Sequence, residues 1–495
     1  MQAAETRKDE VTEKLHNLRL FRQQCYVGGA WKDAADGKTI AVENPATGEV
    51  IGHVPSMSRA ETADCIAKAA AAWAGWRDMT SRARSGILKK WYQLILDNAD
   101  DLAYILTVEQ GKPLAQAKGE VINGAGFVEW FAEEGRRTYG DVIPTHEAKT
   151  RILTLKQPIG VSAAITPWNF PSSMITRKAS AALAAGCPVI VKPAELTPFS
   201  ALALAVLAEE AGIPPGVFSI ITGDPREIGA ELCENPTVRK LSFTGSTAVG
   251  KILMRQCADT VKKLSLELGG NAPFIVFNDA DLDVAVAGAV VSKYRNSGQT
   301  CICANRIFVE DGIYDAFMEK FRAAVEKMPV GSGLTEGSEL GPMINAGGLE
   351  KTKEHIADAL EKGAKLVTGG KPHDLGGLFM QPTILADATD DMACFREETF
   401  GPMAPVFRFK EEADVIRRAN DTEYGLAAYI YTRDLGRFWR VSEQLEYGMV
   451  GINSGLLSTE QAPFGGIKQS GIGREGSKYG IEDYLEIKYL CVGGL

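Results

Sequence analysis

Residues 188–223 read PVIVKPAELTPFSALALAVLAEEAGIPPGVFSIITG, and the order of elements in this stretch decides the fold. PVIVKP is a short apolar, β-branched run. SALALAVLAEEAG (200–212) is an apolar helical pattern closed by Gly212, and GVFSIITG (216–223) is a second apolar run bounded by glycines. Strands apolar on both faces and joined through a helix belong to a parallel sheet covered on both sides. The pattern extends in both directions. Upstream, VSAAITPW (161–168) reads as a strand and SMITRKASAALAAG (173–186) as a helix closed by Gly186. Downstream follow EIGAELCEN (227–235) as helix, KLSFTGS (240–246) as strand, AVGKILMRQC (248–257) as helix and VKKLSLELGG (261–270) as strand. From 160 to 268 the chain is therefore predicted to form a doubly wound α/β sheet.

Outside this unit, residues 59–139 carry apolar residues at three- and four-residue spacings and read as amphipathic helices. A second α/β stretch begins near 271, with strand-like APFIVF, RIFVE, KLVTGG, LAAYIYT and GMVGINS separated by helices such as DAFMEKFRAAVEK (315–327). RILTLKQPIG (151–160) and YLEIKYLCVG (484–493) alternate like exposed strands and are expected to pair in an arm used for oligomerisation. At 495 residues, two or three domains are expected. The reading assigns 20–139 and 160–267 to a dinucleotide-binding domain and 268–482 to a catalytic domain. The arm takes 140–159 and 483–495, and 1–19 form an N-terminal extension.

A net charge of −9 and the lack of a basic stripe argue against nucleic acid as a partner. The N-terminus lacks the apolar core of a signal peptide, and no apolar run reaches the ~18 residues of a membrane span. Nine scattered cysteines, an odd number, fit reduced thiols in a cytoplasmic protein with no membrane partner.

Five stretches could carry chemistry. SFTGSTAVG (242–250) is a strand, a Gly245-Ser246 turn and a helix start, and departs from the G-x-G-x-x-G spacing; it is either a phosphate site or a plain strand-to-helix turn. In VKPAELTP (191–198), Lys192 and Glu195 either contact an adenosine ribose or form an exposed ion pair. In LSLELGGNAP (264–273), Glu267 within an apolar strand is either a satisfied acceptor or a tuned general base. Asn169 in TPWNFP (166–171) either caps a helix or aims its amide at an oxyanion. SGQTCICANR (297–306) holds Cys301 and Cys303. The five histidines supply no ligand spacing to accompany them, so no metal site is expected.

Together PWNFP, VKPAELTP, FTGSTAVG, LELGGNAP, GQTCICANR, EETFGP (397–402) and PFGGIKQSGIGREG (463–476) occur in the order found in NAD(P)-dependent aldehyde dehydrogenases. The resemblance runs from about residue 25 to the end and is greatest to the succinate-semialdehyde dehydrogenases. It implies an α/β fold with a Rossmann-type cofactor domain, an α/β catalytic domain and a small β oligomerisation arm. By resemblance, Cys301 is the nucleophile, Glu267 the base and Asn169 the oxyanion donor. Thr166, Pro167, Trp168, Lys192, Glu195, Gly245, Ser246, Glu398 and Phe400 would line the cofactor site. Glu195 would repel a 2′-phosphate and so favours NAD over NADP. Arg177, Arg295 and Ser458 would bind a substrate carboxylate, and Lys178 and Glu475 would relay protons. Cys303 would either regulate Cys301 through a disulfide or only pack beside it. The implied activity is oxidation of succinate semialdehyde to succinate in a homodimer or homotetramer. A longer semialdehyde such as glutarate semialdehyde is the alternative substrate, and a non-catalytic scaffold of the same fold the alternative from another class.

Overall fold

A computed structural model describes residues 11–495, so the first ten residues of the N-terminal extension lie outside the described residues. The first sheet is built as the apolar runs require. Its five parallel strands are ordered Lys263–Glu267, Val238–Thr244, Val161–Ile165, Val189–Lys192 and Phe218–Ile220. Antiparallel strands close both edges: Gly471–Ile472 beside Lys263–Glu267, and Cys25–Val27 with Ala30–Lys32 beside Phe218–Ile220.

In chain order the parallel strands run 5-4-1-2-3, so the winding reverses between Val161–Ile165 and Val238–Thr244. Connections leave these two neighbours in opposite directions, and a crevice opens beyond their carboxyl ends. The residues that follow are Thr166 to Asn169 from one strand and Gly245-Ser246 from the other.

The second sheet is ordered Lys365–Thr368, Thr383–Ala386, Met403–Phe409, Ala304–Glu310, Ala272–Val276, Ala427–Tyr431 and Met449–Ile452. All its pairs are parallel except the first. Only Leu268 to Asn271 separate the last parallel strand of the first sheet from Ala272–Val276 of the second. Residues 151–158 and 485–492 pair antiparallel along their whole length, from Arg151 opposite Val492 to Pro158 opposite Leu485, with Val142–Ile143 at the other edge. Leu155, Ile487 and Tyr489 of this small sheet are exposed.

The helices of 59–139 cover the first sheet. Trp76 donates its indole N–H to the Leu183 carbonyl at 3.0 Å, and Trp91 donates to Leu204 at 3.2 Å. Each tryptophan thus buries a large apolar surface and satisfies its one donor. Two buried glutamates from the same region cap sheet-covering helices. Glu109 accepts from the Phe199 and Ser200 N–H groups at 2.7 and 2.9 Å, and Glu120 accepts from Ser172 and Ser173 at 2.9 and 3.2 Å. A carboxylate at a helix N-terminus meets unpaired N–H groups and the positive end of the helix dipole. Among the described residues, no helix is long and apolar enough to cross a membrane.

Gly111 ends the helix Ala99–Gln110 with φ of 92°. A Cβ there would stand 2.8 Å from the rings of both Pro45 and Pro342. Gly111→Ala is therefore expected to cost about 2–3 kcal/mol, combining left-handed strain with overpacking. The check is the melting temperature by scanning fluorimetry. A fall of several degrees is expected, and unchanged melting would contradict the packing described.

Candidate active site

Two cavities meet at one side chain. The first, about 210 Å³, lies at the winding reversal of the first sheet and is lined by Trp168, Asn169, Gly245, Ser246, Glu267 and Phe400, among others. The second, about 260 Å³, is lined by Phe170, Arg177, Arg295, Ser458 and Phe464, among others. Among the described residues, Cys301 alone lines both.

The local backbone explains why. Glu267 ends a strand of the first sheet at its carboxyl edge, and Cys301 lies just before Ala304–Glu310 at the amino edge of the second. The Gly269-Gly270 link lets the two approach. A Cβ on Gly270 would stand 2.5 Å from the Cys301 carbonyl oxygen. Ahead of Cys301, Asn296, Ser297 and Gly298 have φ of 52°, 55° and 75°, a tight left-handed turn that presents the cysteine. Asn169 donates its side-chain N–H to the Gln299 carbonyl at 3.1 Å, so its amide lies against the cysteine loop. Asn169 Oδ1 and Glu267 Oε2 are buried without a hydrogen-bond partner. Such atoms cost about 1–3 kcal/mol each unless a ligand or water completes them.

The first cavity has the form of a dinucleotide crevice. Ser246 caps the helix Thr247–Cys257, accepting from the Val249 N–H at 3.3 Å, so a helix N-terminus opens where a phosphate would lie. Glu398 accepts from the Gly270 N–H at 3.0 Å, and Trp168 meets Phe400 edge-on with centroids 5.6 Å apart. Thr166 is buried with its hydroxyl unpartnered, and its N–H donates to the Lys192 carbonyl at 3.1 Å. Lys192 and Glu195 form an ion pair at 2.9 Å farther along the same edge. The pair is therefore an ion pair with a buried Lys192 and a half-exposed Glu195 rather than a wholly exposed one.

The second cavity is cationic. Arg177 is buried between the rings of Phe127 and Phe464, donates to Ser458 Oγ at 3.1 Å, and lies 3.5 Å from Glu475. Lys178, the next residue, also hydrogen-bonds Glu475. Arg295 has its guanidinium 5.3 Å from the Phe170 ring centroid and no ion-pair partner among the described residues. Cys303 is buried and donates its thiol to the Lys293 carbonyl at 3.3 Å. All nine cysteines are free. Among the described residues, no group of three His, Cys, Asp or Glu side chains is placed to hold a metal ion.

Residues 31–490 match the aldehyde dehydrogenase family. The chain belongs to it. A glutarate-semialdehyde dehydrogenase of Pseudomonas aeruginosa is 63% identical over 97% of this chain and 100% of its own length. A succinate-semialdehyde dehydrogenase [NADP(+)], GabD, of Escherichia coli is 61% identical, with the same coverage. The solved succinate-semialdehyde dehydrogenase of Burkholderia pseudomallei superposes with a TM-score of 0.97 at 62% identity, covering 97% of this chain and 100% of that one.

This aldehyde dehydrogenase is an oxidoreductase, and the Escherichia coli relative is named for NADP(+). The crevice at the winding reversal, the helix N-terminus at Ser246 and the unpartnered Thr166 hydroxyl all fit such a cofactor. Of the residues singled out from sequence, Cys301, Glu267, Asn169, Pro167, Trp168, Gly245, Ser246, Glu398 and Phe400 gather around one crevice. Arg177, Arg295 and Ser458 gather around the other cavity. Thr166, Lys192 and Glu195 stand outside both linings, and Cys303 is turned to Lys293. Sequence reasoning missed Lys112 and Glu120, a fully buried ion pair at 2.6 Å in the wall of the second cavity. On an amphipathic helix such charges read as solvent-facing, and only the tertiary partner reveals otherwise.

The electrostatics set the resting state. Burial pushes the Cys301 thiol up to about 12, and the Glu398 and Glu267 carboxylates add to this while Arg177 and Arg295 oppose it. Burial, then the Glu475 carboxylate, raise Glu267 well above the usual carboxylate range, against the pull of Lys178 and Arg177. Burial raises Glu398 to about 7. A raised thiol gains thiolate only as pH climbs. In the cofactor-free enzyme, alkylation of Cys301 by iodoacetamide should therefore accelerate about tenfold per pH unit from about pH 7 to about pH 10. A plateau below about pH 9 would contradict this electrostatic environment.

Proposed function

We propose that this chain oxidises succinate semialdehyde to succinate, with Cys301 as nucleophile, Glu267 as general base and the Asn169 amide as oxyanion donor. The observation that carries this reading is the position of Cys301 between two cavities, one holding Glu267 and the other the unpaired Arg295. Arg295 is half-buried; a guanidinium held in a cavity without a carboxylate is costly, and a substrate carboxylate would relieve that cost. Arg177 and Ser458 stand ready as the second grip.

Glu267 takes the thiol proton of Cys301 as the sulfur attacks the aldehyde carbon, forming a thiohemiacetal. The Asn169 amide and the Cys301 backbone N–H meet its oxyanion; losing one such donor costs about 3–4 kcal/mol of barrier. A nicotinamide cofactor held in the crevice by Trp168, Glu398 and Phe400 would supply the hydride acceptor that oxidation of the thiohemiacetal to a thioester requires. Glu267, raised by burial and by Glu475, is a strong base for a carboxylate and takes a proton from the attacking water. The tetrahedral adduct then collapses, freeing the acid and the Cys301 sulfur. Lys178 and Glu475 carry protons away from Glu267.

Glu398 and Phe400 would lie beside the nicotinamide ribose, Gly245 and Ser246 at the pyrophosphate, and Lys192 and Glu195 against the adenosine ribose, with Thr166, Pro167 and Trp168 also contacting the cofactor. Glu195 supports NAD over NADP, through repulsion of a 2′-phosphate. Cys303 takes the packing role, since its sulfur reaches Cys301 only by leaving the Lys293 carbonyl. The exposed Leu155, Ile487 and Tyr489 support the 140–159 and 483–495 arm as the contact of a homodimer or homotetramer. Residues 20–139 with 160–267, and 268–482, serve as cofactor and catalytic domains. Nine free thiols support a reducing, cytoplasmic setting.

The 63% identical relative named for glutarate semialdehyde favours a second reading, in which the longer substrate is preferred. Both readings rest on the same arginines. Arg295→Ala is expected to raise KM for succinate semialdehyde roughly 10- to 100-fold, the worth of a charged hydrogen bond. An uncharged aldehyde should be scarcely affected. Arg177→Ala should act in the same direction but also disturb Glu475, so Arg295→Ala is the cleaner test. Equal losses on both aldehydes would contradict the clamp. In the same assays, kcat/KM for the two semialdehydes under NAD and NADP ranks chain length and cofactor.

A further inference from the structure

The oxyanion hole has two halves that lie far apart in sequence, Asn169 and the Cys301 loop. The turn and helix start at 109–120 hold both. Lys112 is fully buried and donates to the Asn169 carbonyl at 2.7 Å and to Glu120 at 2.6 Å. Glu120 in turn accepts from the Ser172 and Ser173 N–H groups, at the start of the helix that follows Asn169. On the other side, Gln110 donates to Asn296 Oδ1 at 3.1 Å, and Gln116 accepts from the Asn296 N–H at 2.9 Å. Asn296 closes the ring by donating to the Asn169 carbonyl at 3.0 Å.

The ring surrounds a strained segment. Asn296 and Ser297 are non-glycine residues in the left-handed region, five and four positions before Cys301. Such conformations cost about 1 kcal/mol or more each and persist only where the surroundings over-determine them. Here the surroundings are Gln110, Gln116 and the Asn169 carbonyl at Asn296, and the Gly341 carbonyl, which accepts from Ser297 Oγ at 2.8 Å.

We infer that Lys112, Gln110 and Asn296 are positioning residues for the oxyanion hole, fixing the Asn169 amide relative to the Cys301 backbone N–H. None of the three needs to touch the reacting atoms for this. The inference rests on the proposed roles of Asn169 and Cys301. Cutting the ring lets the strained turn relax, and a displacement of about 1 Å at a reacting centre costs up to about 100-fold in rate.

The test uses full-length Gln110→Ala, Lys112→Met and Lys112→Arg. Four quantities are read for each: kcat with the preferred semialdehyde, KM for the cofactor, melting temperature, and the rate of Cys301 alkylation by iodoacetamide. Alkylation forms no oxyanion and so does not sense the hole. Gln110→Ala and Lys112→Met should lower kcat roughly 10- to 100-fold while alkylation and cofactor KM stay within about twofold. Lys112→Arg, which keeps a donor for the Asn169 carbonyl and a charge for Glu120, should restore most of kcat. If Lys112→Met does not fold, Gln110→Ala decides. Unchanged kcat in the folded variants would overturn the inference, as would a parallel fall of kcat, alkylation, cofactor affinity and melting temperature. Asn169→Ala and Cys301→Ala serve as controls. Activity retained in either would remove the underlying reading of the hole instead.

Discussion

Glu475 is a buried carboxylate shared by two successive cations, Lys178 and Arg177, and the site depends on this arrangement. The helix Ser173–Ala185 is buried along its whole length, so two positive charges on it would each be costly without a partner. Glu475 arrives from the far end of the chain to neutralise them, tying the C-terminal loop to the cofactor-side sheet. Several properties follow from that one contact. Arg177 is held where it can donate to Ser458, Arg295 is left as the cavity's unpaired cation, and Glu267 is pushed upward by a neighbouring carboxylate. Base strength and substrate charge selection thus share one source.

The second constraint is the way the sheets meet. The first presents the carboxyl ends of its strands and the second an amino end, with only Leu268 to Asn271 linking Glu267 to the next strand. Glu267, leaving one sheet, and Cys301, entering the other, are thereby brought to one crevice. The glycines of the link are necessary, because at Gly270 the cysteine carbonyl already occupies the space of a side chain. A chemistry with two phases, attack on an aldehyde and hydrolysis of a thioester, fits a cysteine reached from two sides.

The doubly wound sheet was legible because its strands are apolar on both faces and two of its helices end on Gly186 and Gly212. The edge strands Cys25–Val27, Ala30–Lys32 and Gly471–Ile472 were not, since two- and three-residue strands carry no period and take their pairing from distant partners. Within the site, the spacing around Cys301, Glu267 and Gly245 raised alternatives among which the family resemblance chose, and the fold brings all three to one crevice. Arg295 is an arginine like any other by local pattern; the family resemblance singled it out, and the fold leaves it beside Phe170 with no ion-pair partner among the described residues. Lys112, Glu120 and Gln110 sit in segments that read as ordinary helix and turn. Their burial comes from the packing of 109–120 against the Asn169 and Asn296 loops, which no local pattern encodes.

The central claim is that Cys301 carries the acyl group while Glu267 activates the water that removes it. Trapping in Glu267→Gln tests it most directly. The variant is mixed with succinate semialdehyde and oxidised cofactor, quenched in acid, digested and analysed by mass spectrometry, with reduced cofactor followed by absorbance. The expected result is a burst of about one reduced cofactor per site, then slow turnover, with a succinyl thioester on the Cys301 peptide. A burst-free reaction at the parent's steady rate, or an acyl group on another residue, would contradict it.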